Sequence, residues 1–431
     1  MIKQYFQQAM AQLRQHPIIS GVTVVGTAMA IFLIMLLVMM QQVKEVPFAP
    51  ESNRDRLLHV QWMSIGHTDW GDDSTSNGPM SAQTAKECFQ SLTTPEAVTV
   101  FSFISALPAS LPGQPTTLID VKPVDDQFFH VFDFTFLDGK PFDHAVLESA
   151  RPVAIITKNV ARAIFGTAEG VVGKEFQISH APYKVVGVVK DVSTLADNAY
   201  AQCWIPYTTS SAMAGDWNIY MGEFSATILA KSRSDFDAIR EEVNRKRDEF
   251  NKIIESSGFK LIYRNRPYDQ LKHSITTAAN IEPDVAAARR QRIIIFAILL
   301  LVPAINLSSM TQSRLRQRIA EIGVRRAFGS TRGSILGQIL AENFIVTLLA
   351  GILGLLMSVA FAYLGNGILF SNATSYDLTP PMVDASILIH WSTFGWALFF
   401  CFVLNLLSTG LPAWRASRIN IVGALNGRLY N

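Results

Sequence analysis

Charge-free runs and alternating runs divide this chain into two kinds of segment. Ile18 to Met40 contains no Asp, Glu, Lys or Arg, nor do Ile293 to Ser313 and Asn343 to Tyr376, and Ile387 to Leu411 is interrupted only by His390. A helix needs roughly 20 apolar residues to cross a hydrocarbon core about 30 Å thick, so each run predicts one membrane span. The first run is longer than a secretory leader's apolar region, and no small-residue cleavage site follows at Gln41-Gln42-Val43-Lys44; it reads as a retained anchor. About 250 residues of soluble character separate the first span from the second. Within them Tyr183 to Val189 and Ala226 to Ala230 read as strands. Over Ser234 to Ser256, Phe236, Ile239, Val243, Phe250 and Ile253 recur at helical spacing between charges such as Arg240, Glu241, Glu242 and Lys246, which predicts an amphipathic helix.

The predicted fold class is an integral membrane α-helical protein with four transmembrane helices and a large α+β domain inserted between the first and second. The expected order is a cytoplasmic segment 1–17, helix one at 18–42, an exported domain at 43–268, and a stalk with helix two at 269–313. A cytoplasmic loop at 314–333, helix three at 334–365, a short outer loop at 366–386, helix four at 387–411 and a cytoplasmic tail at 412–431 complete it. Two lobes are expected in the exported domain, with Ala106 to Gly113 and Gly215 to Gly222 as boundary loops.

Charge sets the orientation. Between Ser313 and Arg332 stand Arg314, Arg316, Arg318, Arg325, Arg326 and Arg332 against Glu321 alone, an excess of five positive charges. The loop between spans three and four has no Lys or Arg, and the tail after Leu411 carries Arg415, Arg418 and Arg428 with no acid. Short cytoplasmic loops are enriched in Lys and Arg, so both termini and the Arg-rich loop are expected inside. Arg289, Arg290 and Arg292 at the outer end of the second span run against this, as large translocated domains are partly exempt. Composition agrees with the pattern: 49% of the 431 residues are hydrophobic and 17% charged, which excludes disorder and collagen-like repeats. A net charge of +2 gives no global basic field, so no nucleic-acid partner is expected. The three cysteines form no CxxC pair. Cys88 and Cys203 both fall on the outer, oxidising side, where a disulfide between them is open, while Cys401 falls in the fourth span. His67, Asp69, Asp72 and Asp73 crowd one polar loop, but such loops are usually solvated and no metal site is expected. No Ser/His/Asp, Cys/His or HExxH arrangement stands out, so no catalytic residue is assigned.

Three separated blocks resemble the MacB/FtsX-type permeases of ABC transporters. The first is Ile305-Asn306-Leu307-Ser308-Ser309-Met310, running through Arg314 and Arg318 into Glu321-Ile322-Gly323-Val324-Arg325-Arg326-Ala327-Phe328-Gly329-Ser330, similar to that family's EIG signature. The second is Arg151 to Thr157 with Ala163-Ile164-Phe165-Gly166 and Val186 to Val192, preceded by Val124 to Phe129 and Leu137 to Phe142. The third is Leu411-Pro412-Ala413-Trp414-Arg415-Ala416-Ser417-Arg418. The resemblance implies a permease in the inner membrane of a Gram-negative bacterium, with a MacB-like periplasmic core domain and an ATPase on the cytoplasmic face. It implies export by tripartite efflux of peptides, macrolides or similar molecules, with lipoprotein release, or mechanotransmission to a periplasmic hydrolase, as alternatives. Implied partners are a second permease copy, an adaptor, an outer-membrane channel and membrane lipid. The chain starts a few residues before the first span and has no GxxxxGK[ST], so a separate ATPase subunit carrying ATP and Mg is expected, and this chain is not itself the enzyme.

On the same resemblance Arg318, Glu321, Ile322, Gly323, Arg325, Arg326 and Gly329 form the ATPase-coupling loop. Leu315, Ile319 and Ile322 share a helical face, expected to dock in an apolar groove of the ATPase, with the arginines pairing to its acidic rim. Gly329 and Gly333 are expected to break this loop helix before the third span. Ala350, Gly354, Ser358 and Ala362 recur every four residues and make a stripe for helix packing or for a dimer seam. Gly26 and Ala30 form a shorter one; Pro303 is expected to kink the second span, Asn306 to bond a neighbouring helix, and Glu342 to snorkel to the interface.

Overall fold

The computed structural model describes residues 17–71, 74–211, 219–364 and 391–417. These fall into two compact units, one of residues 17–42, 286–364 and 391–417, the other of residues 43–285.

The second unit is α+β. Strands β1 (Leu57–Val60), β2 (Met63–His67) and β3 (Ser76–Gly78) are followed by β4 (Ala97–Ser102), β5 (Ser105–Ser110), β6 (Thr117–Val124) and β7 (Phe136–Gly139). Then come β8 (Val153–Thr157), β9 (Glu175–Ile178), β10 (Ala181–Val189), β11 (Cys203–Pro206), β12 (Phe224–Leu229), β13 (Phe259–Ile262) and β14 (Tyr268–Asp269). One mixed sheet runs β11-β8-β10-β9-β5-β6-β4-β12-β1-β14, with β7 beside β10, and β13-β2-β3 form a small second sheet. Parallel pairing of β11 with β6 closes six of these strands into a ring. Alternate residues such as Ile119, Val121, Ile156, Phe176, Ile178 and Val185 fill its interior, as period-2 side-chain direction requires. The strands expected at 183–189 and 226–230 are β10 and β12.

Ala106 to Gly113, expected as a boundary loop, is mostly β5. Leu107 pairs with Ile119 and Ala109 with Thr117, and only Leu111-Pro112-Gly113-Gln114 turns, with Gln114 N–H on the Leu111 carbonyl and Gly113 at φ +76°. A Pro-Gly pair at the centre of a type II turn explains why this stretch resembled a longer loop. Of Gly215 to Gly222, residues 215–218 lie outside the description, and Tyr220 and Met221 are core residues, Met221 bridging Met80. The predicted helix appears as Phe236–Ile254, with Ser232 capping the turn before it. Its buried stripe is Phe236, Ile239, Val243, Phe250 and Ile254, while Ile253 is 73% exposed; Ile254 rather than Ile253 lies five whole turns from Phe236.

The Cys88–Cys203 disulfide is not realised. Both thiols are free and fully buried, Cys88 in the cluster built on that helix and Cys203 in the six-strand ring, so two different cores hold them apart. Burial pushes the Cys88 thiol up to about 11.

In the other unit the helices are α1 (Pro17–Glu45, whose last turn from Val43 belongs to the α+β unit), α2 (Val285–Gln317), α3 (Ile319–Ala327), α4 (Arg332–Leu364) and α5 (Trp391–Ser417). Among the described residues three helices are long and apolar enough to cross a membrane, at Val24–Glu45, Arg332–Phe361 and Gly395–Ser417. The span expected at Ile293 to Ser313 lies within α2, whose Pro303 and Asn306 side chains are outside the description. Ile31, Ile34, Met35 and Val38 of α1 share one core with Ala304 of α2 and Ala397, Phe400, Cys401 and Leu404 of α5. Outward residues such as Val22, Val25, Ile293, Ile298, Leu356 and Phe402 are exposed and apolar, the pattern of a lipid-facing surface.

The small-residue stripe on α4 is used inside this unit. A Cβ on Gly354 would stand 2.5 Å from the Ala28 carbonyl oxygen and 3.1 Å from Ile31 Cβ, so only glycine lets α1 approach α4 this closely. Ala350 and Ser358 are fully buried in line with it, and the Ala362 side chain is outside the description.

Candidate functional site

The Arg-rich loop folds into a turn of helix held at both ends. Arg318, at φ −103°, ends the run of α2 and α3 begins at Ile319. At its other end Gly329 takes φ +92°, Ser330 N–H reaches the Arg325 carbonyl and Gly329 N–H the Arg326 carbonyl, both at 3.1 Å. This is a Schellman stop, which needs a residue free to adopt positive φ. Thr331 then caps α4, its hydroxyl accepting Ser334 N–H at 3.2 Å. Gly329 therefore makes the expected break, whereas Gly333 sits within the first turn of α4.

The apolar face expected to meet an ATPase is turned inward instead. Leu315 and Ile322 pack with Ile335 and Ile339 of α4 and Ala413 and Ala416 of α5, and Ile319 is 3% exposed. The stripe buries the loop helix against its own chain because neighbouring helix ends present matching aliphatic side chains. The opposite face carries Ala320, Val324, Ala327 and Phe328, at positions i, i+4, i+7 and i+8 on the outside of α3. Phe328 is 88% exposed and Val324 43%.

Nor are the central arginines turned toward a partner's rim. Arg318 donates Nε to Glu321 Oε2 at 3.0 Å and Nη1 to Glu342 Oε2 at 2.9 Å. Arg325 donates Nη2 to Glu321 Oε1 at 2.6 Å and Nη1 to Gln338 Oε1 at 2.8 Å, and Gln338 Nε2 closes the ring on Glu342 Oε1 at 2.8 Å. Five side chains thus form an unbroken cycle between α3 and α4. Burial alone would raise the Glu321 carboxyl, but the hydrogen bonds and charges of Arg318 and Arg325 outweigh it and hold it below the usual carboxylate range. Arg326 reaches the Ser417 carbonyl at the end of α5 at 3.4 Å. Gly323 is buried against the helix ends, and Arg316 and Arg332 point outward.

Glu342 does not snorkel. It is 3% exposed and paired, because Arg318 brings a counter-charge to it and Gln338, one turn earlier, fills its second oxygen. Sequence reasoning missed Gln338 as a site residue and mistook the role of Glu342. The available signal was their i, i+4 spacing at the start of an otherwise uncharged run.

The α+β unit offers a cleft of about 480 Å³ lined by Glu96, Asp126, His144, Glu148, Leu147 and Tyr207 among others. Its acids are already partnered: Glu96 with Arg56 at 3.0 Å, and Asp126 and Glu148 with His144 at 3.4 and 3.3 Å. Among the described residues no group of three or more such side chains is placed to hold a metal ion; of the polar-loop cluster, His67 lies 3.6 Å from Asp69, and Asp72 and Asp73 are outside the description.

Residues 20–246 match the family described as MacB-like periplasmic core domain, and residues 293–421 the FtsX-like permease C-terminal family. Among curated proteins, the macrolide export ATP-binding/permease protein MacB 1 of Aeromonas hydrophila is 26% identical over 73% of this chain and 44% of its own length. Its counterpart in Bordetella avium is 27% identical over 71% of this chain and 42% of its length. The chain therefore spans less than half the length of the curated relatives it matches. Among solved structures, the periplasmic region of MacB from Actinobacillus actinomycetemcomitans aligns with a TM-score of 0.33 and 16% identity, covering 47% of this chain and 88% of that one.

Proposed function

We propose, from the premise that this chain belongs to the MacB/FtsX-type ABC transporter permeases, that it passes the motion of an ATPase to a periplasmic domain that drives export. Family membership makes it a transporter component, a membrane protein with a periplasmic domain. The observation that carries the finer reading is the outer face of α3. Phe328 and Val324 stand exposed on a helix whose other face is fixed to α4 and α5, so a push on that face is taken up by whole helices and not by a loose loop.

In this reading four helices span the inner membrane, both termini and α3 lie in the cytoplasm, and a separate ATPase subunit binds ATP and Mg. A second permease copy completes the complex. The substrate is handled from the periplasmic side, with an adaptor and an outer-membrane channel beyond. Macrolide export, in the names of the relatives, supports efflux of peptides, macrolides or similar molecules as the first choice. The reading is tested by isolating the chain from membranes of its own cell. Recovery with a Walker-motif ATPase that Phe328→Asp releases is the expected result. Recovery with no such subunit, or undiminished ATPase stimulation by Phe328→Asp, would sink it.

A further inference from the structure

Inside the exported domain, polar side chains from several segments meet where α1 ends. Arg54, 2% exposed, donates Nε to Glu51 at 2.7 Å, Nη1 to the Val43 and Val46 carbonyls at 2.5 and 3.1 Å, and Nη2 to the Leu195 carbonyl at 2.9 Å. Val43 lies in the last turn of α1, so the guanidinium satisfies a carbonyl that a helix end leaves unpaired. Glu51 accepts the backbone N–H groups of Asn198 and Ala199 at 2.9 and 3.0 Å. One ion pair thereby fastens the segment 195–199 to the end of α1.

Beside it two imidazoles stack, His59 of β1 and His273 of the short helix Gln270–Ser274, with ring centroids 4.3 Å apart. Hydrogen-bond logic sets their protonation. Gln270 donates Nε2 to the Lys44 carbonyl at 2.8 Å, so its Oε1 accepts, and His59 Nε2 at 3.0 Å must carry a proton. In the neutral ring His59 Nδ1 is then an acceptor, facing the Thr227 hydroxyl at 3.3 Å and the Asn198 amide nitrogen at 3.4 Å. The same amide nitrogen faces His273 Nε2 at 3.3 Å. An amide NH2 has two protons, one for each ring. Both rings are therefore neutral and satisfied, and a further proton on either would set N–H against N–H.

The charged groups facing the pair are Arg54 and Glu51 before β1, Lys122 on β6, whose Nζ bonds the Asn198 carbonyl at 2.5 Å, and Asp197. Arg54, Glu51 and Lys122 are buried and Asp197 is exposed, so an added proton increases an interior charge that is already positive. Burial, the neighbouring His273 and Arg54 hold His59 well below the usual imidazole range, and burial lowers His273 against the opposing pull of Asp197 and Glu51.

We propose that His59, Asn198 and His273 form an acid-sensitive clasp. Neutral, it holds segment 195–199 and, through Glu51 and Arg54, the last turn of α1; protonated, it expels the Asn198 amide and loosens that hold. Because the folded rings bind protons more weakly than unfolded ones, the clasp is complete above the ordinary imidazole value of about 6.5 and is lost as pH falls below it.

The test uses the full chain in lipid nanodiscs, with hydrogen–deuterium exchange at pH 7.5 and 5.5 corrected for intrinsic rates. Peptides covering 43–56 and 193–200 should lose roughly tenfold protection at the lower pH while the helix Phe236–Ile254 keeps its own. Asn198→Asp, which offers an acceptor to both protonated rings, should abolish the difference. Equal wild-type protection at both pH values, or an undiminished acid loss in Asn198→Asp, overturns the proposal. If that variant does not fold, NMR titration of the wild-type histidines decides in its place: depressed titration of both rings supports the clasp, and protonation of both above pH 6.5 refutes it.

Discussion

Arg54 and Arg318 are both enclosed by partners, yet they hold different things. Arg54 gives three of its four hydrogen bonds to backbone carbonyls, and Arg318 gives all three of its bonds to carboxylates. A guanidinium on carbonyls fixes the path of the chain, since no other side chain offers that many donors in one rigid fork. A guanidinium on carboxylates joins two side chains through charge-assisted hydrogen bonds. The α+β domain thus uses arginine as a fastener of backbone, and the α3–α4 corner uses it as a link between helices.

The largest effect expected from this contrast is at Arg54. Arg54→Met strands the Glu51 carboxylate and three carbonyls in the interior, and should cost about 3–5 kcal/mol of domain stability in thermal unfolding of the solubilised chain. A loss below about 1 kcal/mol would show that the carbonyl bonds are worth little. At the other site Glu342→Ala should cost about 1–3 kcal/mol, because Arg318 keeps Glu321. The sharper test is exchange of the two charges. Arg318→Glu with Glu342→Arg should recover at least half of the loss caused by either single change, read as a double-mutant cycle. Arg54→Glu with Glu51→Arg should recover none, since the carbonyls still lack donors; rescue at both sites would erase the distinction. Gln338→Leu breaks the ring at two bonds without removing a charge, and should cost about 1–2 kcal/mol while speeding amide exchange in α3. Phe328→Ser should change stability by less than about 0.5 kcal/mol, as an exposed side chain with nothing packed on it, yet abolish ATPase recruitment; normal recruitment would place docking elsewhere.

Much of this molecule was legible because it rests on one-dimensional rules. The uncharged runs located α1, α4 and α5, Gly329 marked the end of α3, and the spacing of Phe236, Ile239 and Val243 marked a helix. Errors came where two rules gave one pattern. Pro112-Gly113 looked like a loop and is the turn of a hairpin. Leu315, Ile319 and Ile322 made an apolar stripe, and a stripe does not say whether its cover is another protein or its own chain. Gly354 belonged to a stripe equally suited to a dimer seam, until the Ala28 carbonyl filled the space beside it.

The sequence alone determined the kinds of segment, the inserted α+β domain and the family signatures, since hydropathy, turn residues and motif spacing act over a few residues at a time. Tertiary structure decided which charges pair. Arg318 meets Glu342 across 24 residues, Arg54 meets Leu195 across 141, and Asn198 meets His273 across 75. Such meetings depend on where whole helices and strands come to rest, and a hydrogen bond's strength vanishes within an ångström or so of misplacement, so no local pattern in the chain can specify them.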